Sequence, residues 1–426
     1  MNILVYPMYS VDNINADSNY IIISNLIRGL YKEHNFVLLI NKNLAYEKDD
    51  LYKYCKIVYI NAPTAKRDFV TWFNPKLIRT ICNRYSIQLI FNNVVEQGHN
   101  LKYIHPTLDP SWYMKVINYH HYNIHPSFGE AIANSMKNVL LNQLTGSLLV
   151  DVNYFHTKHS YNMFKDCYND YYINEIKNVH VELGKHAGVA EKADKYPVYT
   201  FIYNHRLAGY KNYTKTIELF DRLYLENPNF KVLFTCADTA NASKIEKLPY
   251  ANVVRCNNHK EYLKILAKCH ANVTNSTHET YCISIAESMQ AGHLIIAPNG
   301  VTFPELLGSD YKYLFTSDEQ QYKMMLDAVT NKITNIKHQQ LDEALQIDIY
   351  RKLLDKVQYA KRPLERSKHK DKFIKLFNKS VIEIQDATKI CASLNLATQS
   401  FPSNKVACLL EDLGYKYELK TNNWHK

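Results

Sequence analysis

The sequence predicts an α/β protein with two doubly wound parallel sheets, one in each of two successive domains. Three observations carry this reading. The chain has 426 residues, more than one hydrophobic core ordinarily sustains. Short apolar runs such as NILVYPM, NFVLLIN, IQLIFNN and HLIIAPN alternate with segments whose apolar residues recur at helical spacing. Strands that are apolar on both faces and separated by helices belong to a parallel sheet covered on both sides. The alternation also stops near residue 187 and begins again, so the pattern is that of a repeated architecture rather than one long sheet.

In order, NILVYPM reads as a strand, followed by a helix at SNYIIISNLIRGLYKE. NFVLLIN and KIVYINA are strands, PKLIRTICNRY is a helix and IQLIFNN a strand. MKVINYH is a strand, a helix is expected near 127–144, and GSLLVDVN is the next strand. The polar stretch EKADKYP, ending in proline, reads as a linker. Beyond it come the strand VYTFIYN, the helix YTKTIELFDRLYLE and the strands KVLFTCA and NVVRCN. Then follow the helix KEYLKILAKCH, the strand ANVTNST, the helix SIAESMQA and the strand HLIIAPN. Residues 318–378 read as helices. The expected domains are 1–187, 188–375 and a small module at 376–426. In that module DATKICASLNL, with Asp386 as N-cap, and NKVACLLEDL, opened by Ser403 and closed by Gly414, are helices. YKYELK follows as a strand, so helix, turn, helix and strand outline a winged-helix-like unit.

Apolar residues make up 46% of the chain and charged ones 22%, a globular balance. No apolar run reaches the length of a membrane span, and MNILVYPMYSVDN reads as a first strand rather than a signal peptide, so a cytoplasmic location is expected. The nine cysteines contain no C-x-x-C pair, which points to reduced thiols and away from a zinc site. Of the formal charge of +10, a local +7 lies in residues 351–375, with ten Lys/Arg against three Asp/Glu. Such a concentration fits a polyanionic partner, or a solvated helix face.

The stretch HETYCISIAES holds the chemistry. A strand delivers Glu279 to the carboxyl edge of the second sheet, a helix begins at Ile283, and Glu287 lies one turn inside it. The unpaired N–H groups at a helix start, here near Cys282 to Ser284, suit a diphosphate. A carboxylate accepts two hydroxyl protons, so Glu287 suits a ribose diol and Glu279 a phosphate-linked sugar. After the strand VYTFIYN, Arg206 and Lys211 stand five apart across a loop, two cations suited to an anionic leaving group. No D-x-D metal motif is evident, so no metal and no cofactor beyond a co-substrate is expected.

This arrangement resembles the E-x7-E motif of retaining GT-B glycosyltransferases of the glycogen-synthase-like type. STHETYCISIAESMQAGHLIIAPNGVTFPELL is similar to that segment through Pro298-Asn299-Gly300 and Pro304-Glu305-Leu306. The resemblance implies that Glu279 contacts the donor sugar, Glu287 the ribose, and Arg206 and Lys211 the diphosphate. It implies a UDP-sugar donor, a metal-independent reaction with retention, and Thr280, Tyr281, Cys282 and Ile283 beside the donor. Where the family has glycine, this chain has Cys282. The strand MKVINYHHYNIH brings His120 to the first sheet's carboxyl edge, where the family places a histidine on the donor sugar; the alternative is a structural histidine. NYHHYN and DVNYFHTKHSYNMF are similar to segments of the queuosine-tRNA mannosyltransferases. The first loop, PMYSVDNINADSN, lacks the family's glycines.

The acceptor is read from charge. Lys361, Arg362, Arg366, Lys368 and Lys370 in the basic run would meet phosphates, and Asn404 and Lys405 at the start of the second tail helix would enter a groove. The chain looks like bacteriophage enzymes that glycosylate hydroxymethylated pyrimidines in DNA, and nucleotide sugar and DNA are the partners this implies. A cell-envelope polysaccharide, lipid or protein acceptor is the alternative, as is a DNA-binding protein on a degenerate GT-B fold. The tail itself reads alternatively as a cap on the second domain. Glu279 is expected to be solvent-accessible, so that its loss would leave the fold intact.

Overall fold

The structure is a computed structural model, and it describes residues 1–426 apart from 8, 10–13, 15–16, 65–71, 105–113, 124, 126–136, 187, 189–190, 236–238, 257, 340, 342, 358–378, 384–385, 387–409 and 412. The chain forms two compact units. The first comprises 1–155, 164–180 and 347–426, and the second 156–163 and 181–346. These bounds differ from the expected 1–187, 188–375 and 376–426. EKADKYP is no linker: Lys195 donates to the carbonyls of Ala267, Cys269 and Ala291 at 2.6–3.2 Å and so belongs to the second unit.

In the first unit β1 (Asn2–Tyr6) leads to α1 (Ser18–Leu30), β2 (Asn35–Asn41), β3 (Lys56–Ile60), α2 (Pro75–Arg84) and β4 (Leu89–Asn92). Then come α3 (Gly98–Lys102), β5 (Lys115–Tyr119), α4 (Lys137–Leu149), β6 (Val152–Phe155), α5 (Lys158–Lys165), whose residues 158–163 belong to the second unit, α6 (Asp170–Glu175) and β7 (Val179–Val181). The sheet order is β3-β2-β1-β4-β5-β6-β7, and β1 pairs in parallel with both β2 and β4. Asp17 caps α1 by accepting from the Asn19 N–H, and the buried Ile22, Ile23, Leu26, Ile27 and Leu30 line its inner face. The strand expected at GSLLVDVN begins only at Val152, because GSLL ends α4. Gly146 lets the helix press on the turn Val95–Gln97 that follows β4: a Cβ would lie 2.1 Å from the Val95 carbonyl oxygen.

In the second unit β8 (Tyr199–Tyr203), α7 (Tyr213–Glu226), β9 (Phe230–Phe234), α8 (Thr239–Ile245), β10 (Ala251–Val253) and α9 (His259–Lys268) come first. They are followed by β11 (Ala271–Val273), α10 (Ile283–Gln290), β12 (Leu294–Pro298), α11 (Phe303–Leu307), β13 (Leu314–Phe315) and α12 (Asp318–Thr330). The sheet order is β10-β9-β8-β11-β12-β13, and every pair is parallel. Phe201, Phe220, Phe230 and Tyr250 form an aromatic core beneath it. The order reverses between β8 and β11, so the loops after these strands diverge and leave a crevice at their carboxyl ends.

Beyond the second unit, α13 (Glu343–Lys356) returns the chain to the first, where Tyr350 meets the ring of Phe91 at 5.9 Å. Residues 331–339 are not helical, against expectation. The described tail is a three-stranded antiparallel sheet of β14 (Val381–Glu383), β15 (Lys416–Glu418) and β16 (Asn423–His425), ordered β14-β16-β15. It packs on the first unit. Gln88 donates to Glu411 at 2.9 Å, Asn35 donates to the Tyr417 carbonyl at 3.2 Å, and Leu419 joins the core around Tyr85 and Ile87. These contacts lie at the amino ends of the parallel strands. Gly414 adopts φ +85°, in keeping with the helix end expected there. Most of the two expected tail helices lies outside the described residues, with Ser403, Asn404 and Lys405 among them. So do Lys361, Arg362, Arg366, Lys368 and Lys370.

Candidate active site

Two loops meet at the switch point of the second unit. The loop after β8 carries Asn204, His205, Arg206 and Lys211. The loop after β11 runs from Thr274 to Cys282 into α10. They are tied together where Thr277 donates to the Tyr210 carbonyl through both its N–H, at 2.9 Å, and its hydroxyl, at 3.1 Å. Asn204 is the second tie, donating to the Ser284 carbonyl at 3.0 Å and to the Tyr262 hydroxyl at 2.7 Å.

The structure brings Lys211 and Glu279 into direct ion pairing, with their side chains only 11% and 10% exposed. Glu279 is therefore not the solvent-accessible carboxylate expected from the sequence. Burial opposes the charge on each, but each partner outweighs it: the Lys211 pKa is raised and the Glu279 carboxyl is held below its usual range. The ammonium also lies 5.1 Å over the Tyr210 ring. Arg206 is exposed, in the same loop.

Next to the pair stand His205, Cys282 and Ser284. The His205 Nδ1 is 3.1 Å from the Ser284 hydroxyl. Burial first, and then Lys211, lower its pKa to about 3, so the ring is neutral. Cys282 occupies the N-cap of α10 at φ +74°, the left-handed conformation that glycine adopts without strain. Burial and then Glu279 push its thiol up, so it stays protonated. Thr280 and Ile283 are half-buried and Tyr281 buried, its hydroxyl donating to the His186 carbonyl at 2.9 Å. His205, Glu279 and Cys282 each offer a ligand atom within 4.8 Å of the others. A protonated thiol and a carboxylate already bearing an ammonium make a poor donor set for a cation.

Glu287, one turn into α10, is 3% exposed and receives the His259 Nε2–H at 2.6 Å. His259 opens α9, whose N-cap Asn258 accepts from the Glu261 N–H at 2.9 Å. Its ring stacks on Tyr262, with centroids 5.7 Å apart, and Tyr262 also hydrogen-bonds Glu287. Burial resists the protonated imidazole, yet Glu287 prevails and raises the pKa of His259. Nothing in the sequence joins residues 259 and 287; only the parallel sheet brings α9 and α10 side by side.

Glu305 has a role the sequence did not disclose. Its carboxylate accepts the N–H groups of Lys158, at 2.8 Å, and His159, at 2.6 Å, and so caps α5. Thr157 completes that cap, accepting from the Ser160 N–H at 2.9 Å, and its hydroxyl donates to the Thr280 carbonyl at 2.6 Å.

His120, in the first unit, departs from the role its position suggested. It is fully buried, with Nδ1 3.0 Å from Asn123 and Nε2 3.0 Å from Asn153, and it stacks on Phe155 at 3.8 Å. Burial lowers its pKa to about 4. Both ring nitrogens are engaged inside the first unit, so in this structure it is a core histidine.

Comparison with known proteins supports this fold. Residues 189–345 match the family profile described as glycosyl transferases group 1. Curated proteins give no significant sequence match. Among solved structures, Anabaena Alr3699/HepE in complex with UDP and glucose is similar at 11% identity and a TM-score of 0.60, covering 83% of this chain and 99% of that one. Sucrose-phosphate synthase from Thermosynechococcus elongatus is similar at 13% identity and a TM-score of 0.62, with the same coverage. A lipopolysaccharide outer core galactosyltransferase, WaaB, is similar at 10% identity and a TM-score of 0.53, covering 84% and 99%. The chain therefore has a GT-B-like fold of two parallel Rossmann-type sheets, and its residues 189–345 are similar to the glycosyl transferases group 1.

Proposed function

We propose that the protein is a glycosyltransferase that takes a sugar from a nucleotide diphospho-sugar, a UDP-sugar such as UDP-glucose. The observation that carries this is the buried Lys211–Glu279 pair at the switch point of the second sheet, beside the start of α10. A cation and a carboxylate so paired satisfy each other until a ligand offers each a better partner. A donor offers both: its diphosphate takes Lys211, and its sugar hydroxyls take Glu279. Arg206 and the first-turn N–H groups of α10 complete the anion site. As the bond between sugar and phosphate lengthens, negative charge grows on the diphosphate, and these donors stabilise it more than the ground state. The similarity to nucleotide-sugar enzymes with bound UDP and glucose supports the donor class. Retention and independence from metal follow from the resemblance of the E-x7-E segment.

The acceptor is a hydroxyl of a hydroxymethylated pyrimidine in DNA. The basic run 351–375 and the tail, whose β15–β16 hairpin and third strand are compatible with the wing of a winged helix, support this reading. Their contacts with phosphate would be salt-dependent. The similarity to WaaB favours the second reading, an envelope saccharide acceptor.

The test incubates purified protein with a panel of nucleotide sugars and either hydroxymethylated DNA or envelope saccharides, and reads mass shifts of the digested products. Transfer to the hydroxymethyl nucleoside is expected. Transfer only to saccharide would replace the acceptor. Failure to hydrolyse or transfer from any donor, with Lys211→Ala and the parent behaving alike, would overturn the transferase reading.

A further inference from the structure

The carboxylate of Glu287 is held from two sides by groups that no motif signals. His259 Nε2 donates to one oxygen at 2.6 Å, and the Tyr262 hydroxyl is a second hydrogen-bond partner. Both donors are themselves fixed. His259 sits on the first turn of a helix capped by Asn258, its ring stacks on Tyr262 with the planes 22° apart, and the Tyr262 hydroxyl receives the Asn204 amide at 2.7 Å. A carboxylate has about four lone-pair positions, and two donors leave about two. The space over the pair is kept by a glycine. A Cβ on Gly188 would lie 2.9 Å from the Glu287 Oε1 and 2.7 Å from the His259 Cε1.

We propose that His259, backed by Tyr262, is a positioning residue that sets the nucleotide selectivity of the donor site, orienting Glu287 so that its two remaining lone pairs accept the 2′- and 3′-hydroxyls of a ribonucleoside diphosphate. This rests on the donor-site reading above and adds to it the residues that make the ribose contact selective. A merely structural His259–Glu287 pair would hold α9 against α10 but would not distinguish a ribose from a 2′-deoxyribose. A fixed carboxylate does distinguish them, because losing one hydroxyl leaves a desolvated lone pair without a partner.

The experiment is calorimetric binding of UDP and 2′-deoxy-UDP to the full-length chain. The wild type is expected to prefer UDP by about tenfold or more. In His259→Ala the preference falls toward one, and in His259→Gln, whose amide still donates, much of it returns. Gly188→Ala crowds both the carboxylate tip and the His259 ring, and it too erodes the preference. Circular dichroism confirms that each variant is folded. Wild-type selectivity in a folded His259→Ala, or in Gly188→Ala should His259→Ala not fold, overturns the proposal while the donor site stands. No binding of UDP by the wild type overturns the donor-site reading itself.

Discussion

At the scale of single residues, the Lys211–Glu279 pair governs both stability and activity. Removing one partner leaves the other charge largely buried without compensation, which typically costs about 3 kcal/mol. Glu279→Ala should therefore lose transfer and also lower the unfolding free energy, whereas the double variant with Lys211→Ala should recover part of the stability. Chemical denaturation of the four forms checks this, and additive losses would show that the pair does not couple. His259 adds a pH dependence. Its pKa is raised in the folded protein, so the proton stabilises the fold fully below its ordinary value, near 6.5, and that contribution is lost as pH rises through the raised value. Unfolding free energy should fall over that interval, and His259→Gln should flatten the slope. The placement of Arg206, Lys211 and Glu279 in loops after strands was legible in the sequence because each stands just past an apolar strand. The pairing of Lys211 with Glu279 was not, since spacing along a chain does not say whether two charges meet each other or a ligand. Cys282 was legible as standing where glycine is usual, and the structure shows the reason, a left-handed backbone at φ +74°.

At the scale of elements, the short α11 holds the start of α5 through one carboxylate. Glu305 receives two N–H groups of α5. Glu305→Ala should cost on the order of 1 kcal/mol in thermal or denaturant unfolding, while Glu305→Gln, which keeps one acceptor, should cost less. An unchanged midpoint in Glu305→Ala would mean that Thr157 suffices as cap. Helices were legible where their apolar face was regular: YTKTIELFDRLYLE coincides with α7. The strand at GSLLVDVN was misjudged because α4 is only weakly amphipathic, with the polar Gln143 and Ser147 buried beside Val139, Leu144 and Gly146. A helix buried on several sides and a strand look alike over a few apolar residues.

At the scale of the molecule, the repeat of two sheets was legible, since strand–helix alternation restarts visibly. Which unit owns the last eighty residues was not, because packing between distant segments leaves no periodic trace. The tail rests on the amino ends of the first unit's strands, with Trp424 fully buried and Gln88 bonded to Glu411. Deleting 379–426 should therefore destabilise the first unit by about 2 kcal/mol or more, beyond any effect on DNA affinity. Salt-dependent gel shifts read beside thermal unfolding separate the two effects, and a truncated chain that melts as the full one does would make the tail dispensable for folding.

Because 347–426 belongs to the same unit as the sheet that begins at β1, the order of synthesis and the order of assembly differ. Residues 181–346 are nearly all that the second unit needs, so it can close on the ribosome while the earlier-made half still waits for its covering helix. The nascent amino-terminal sheet stays partly uncovered through most of translation, and chaperone engagement is expected to concentrate there.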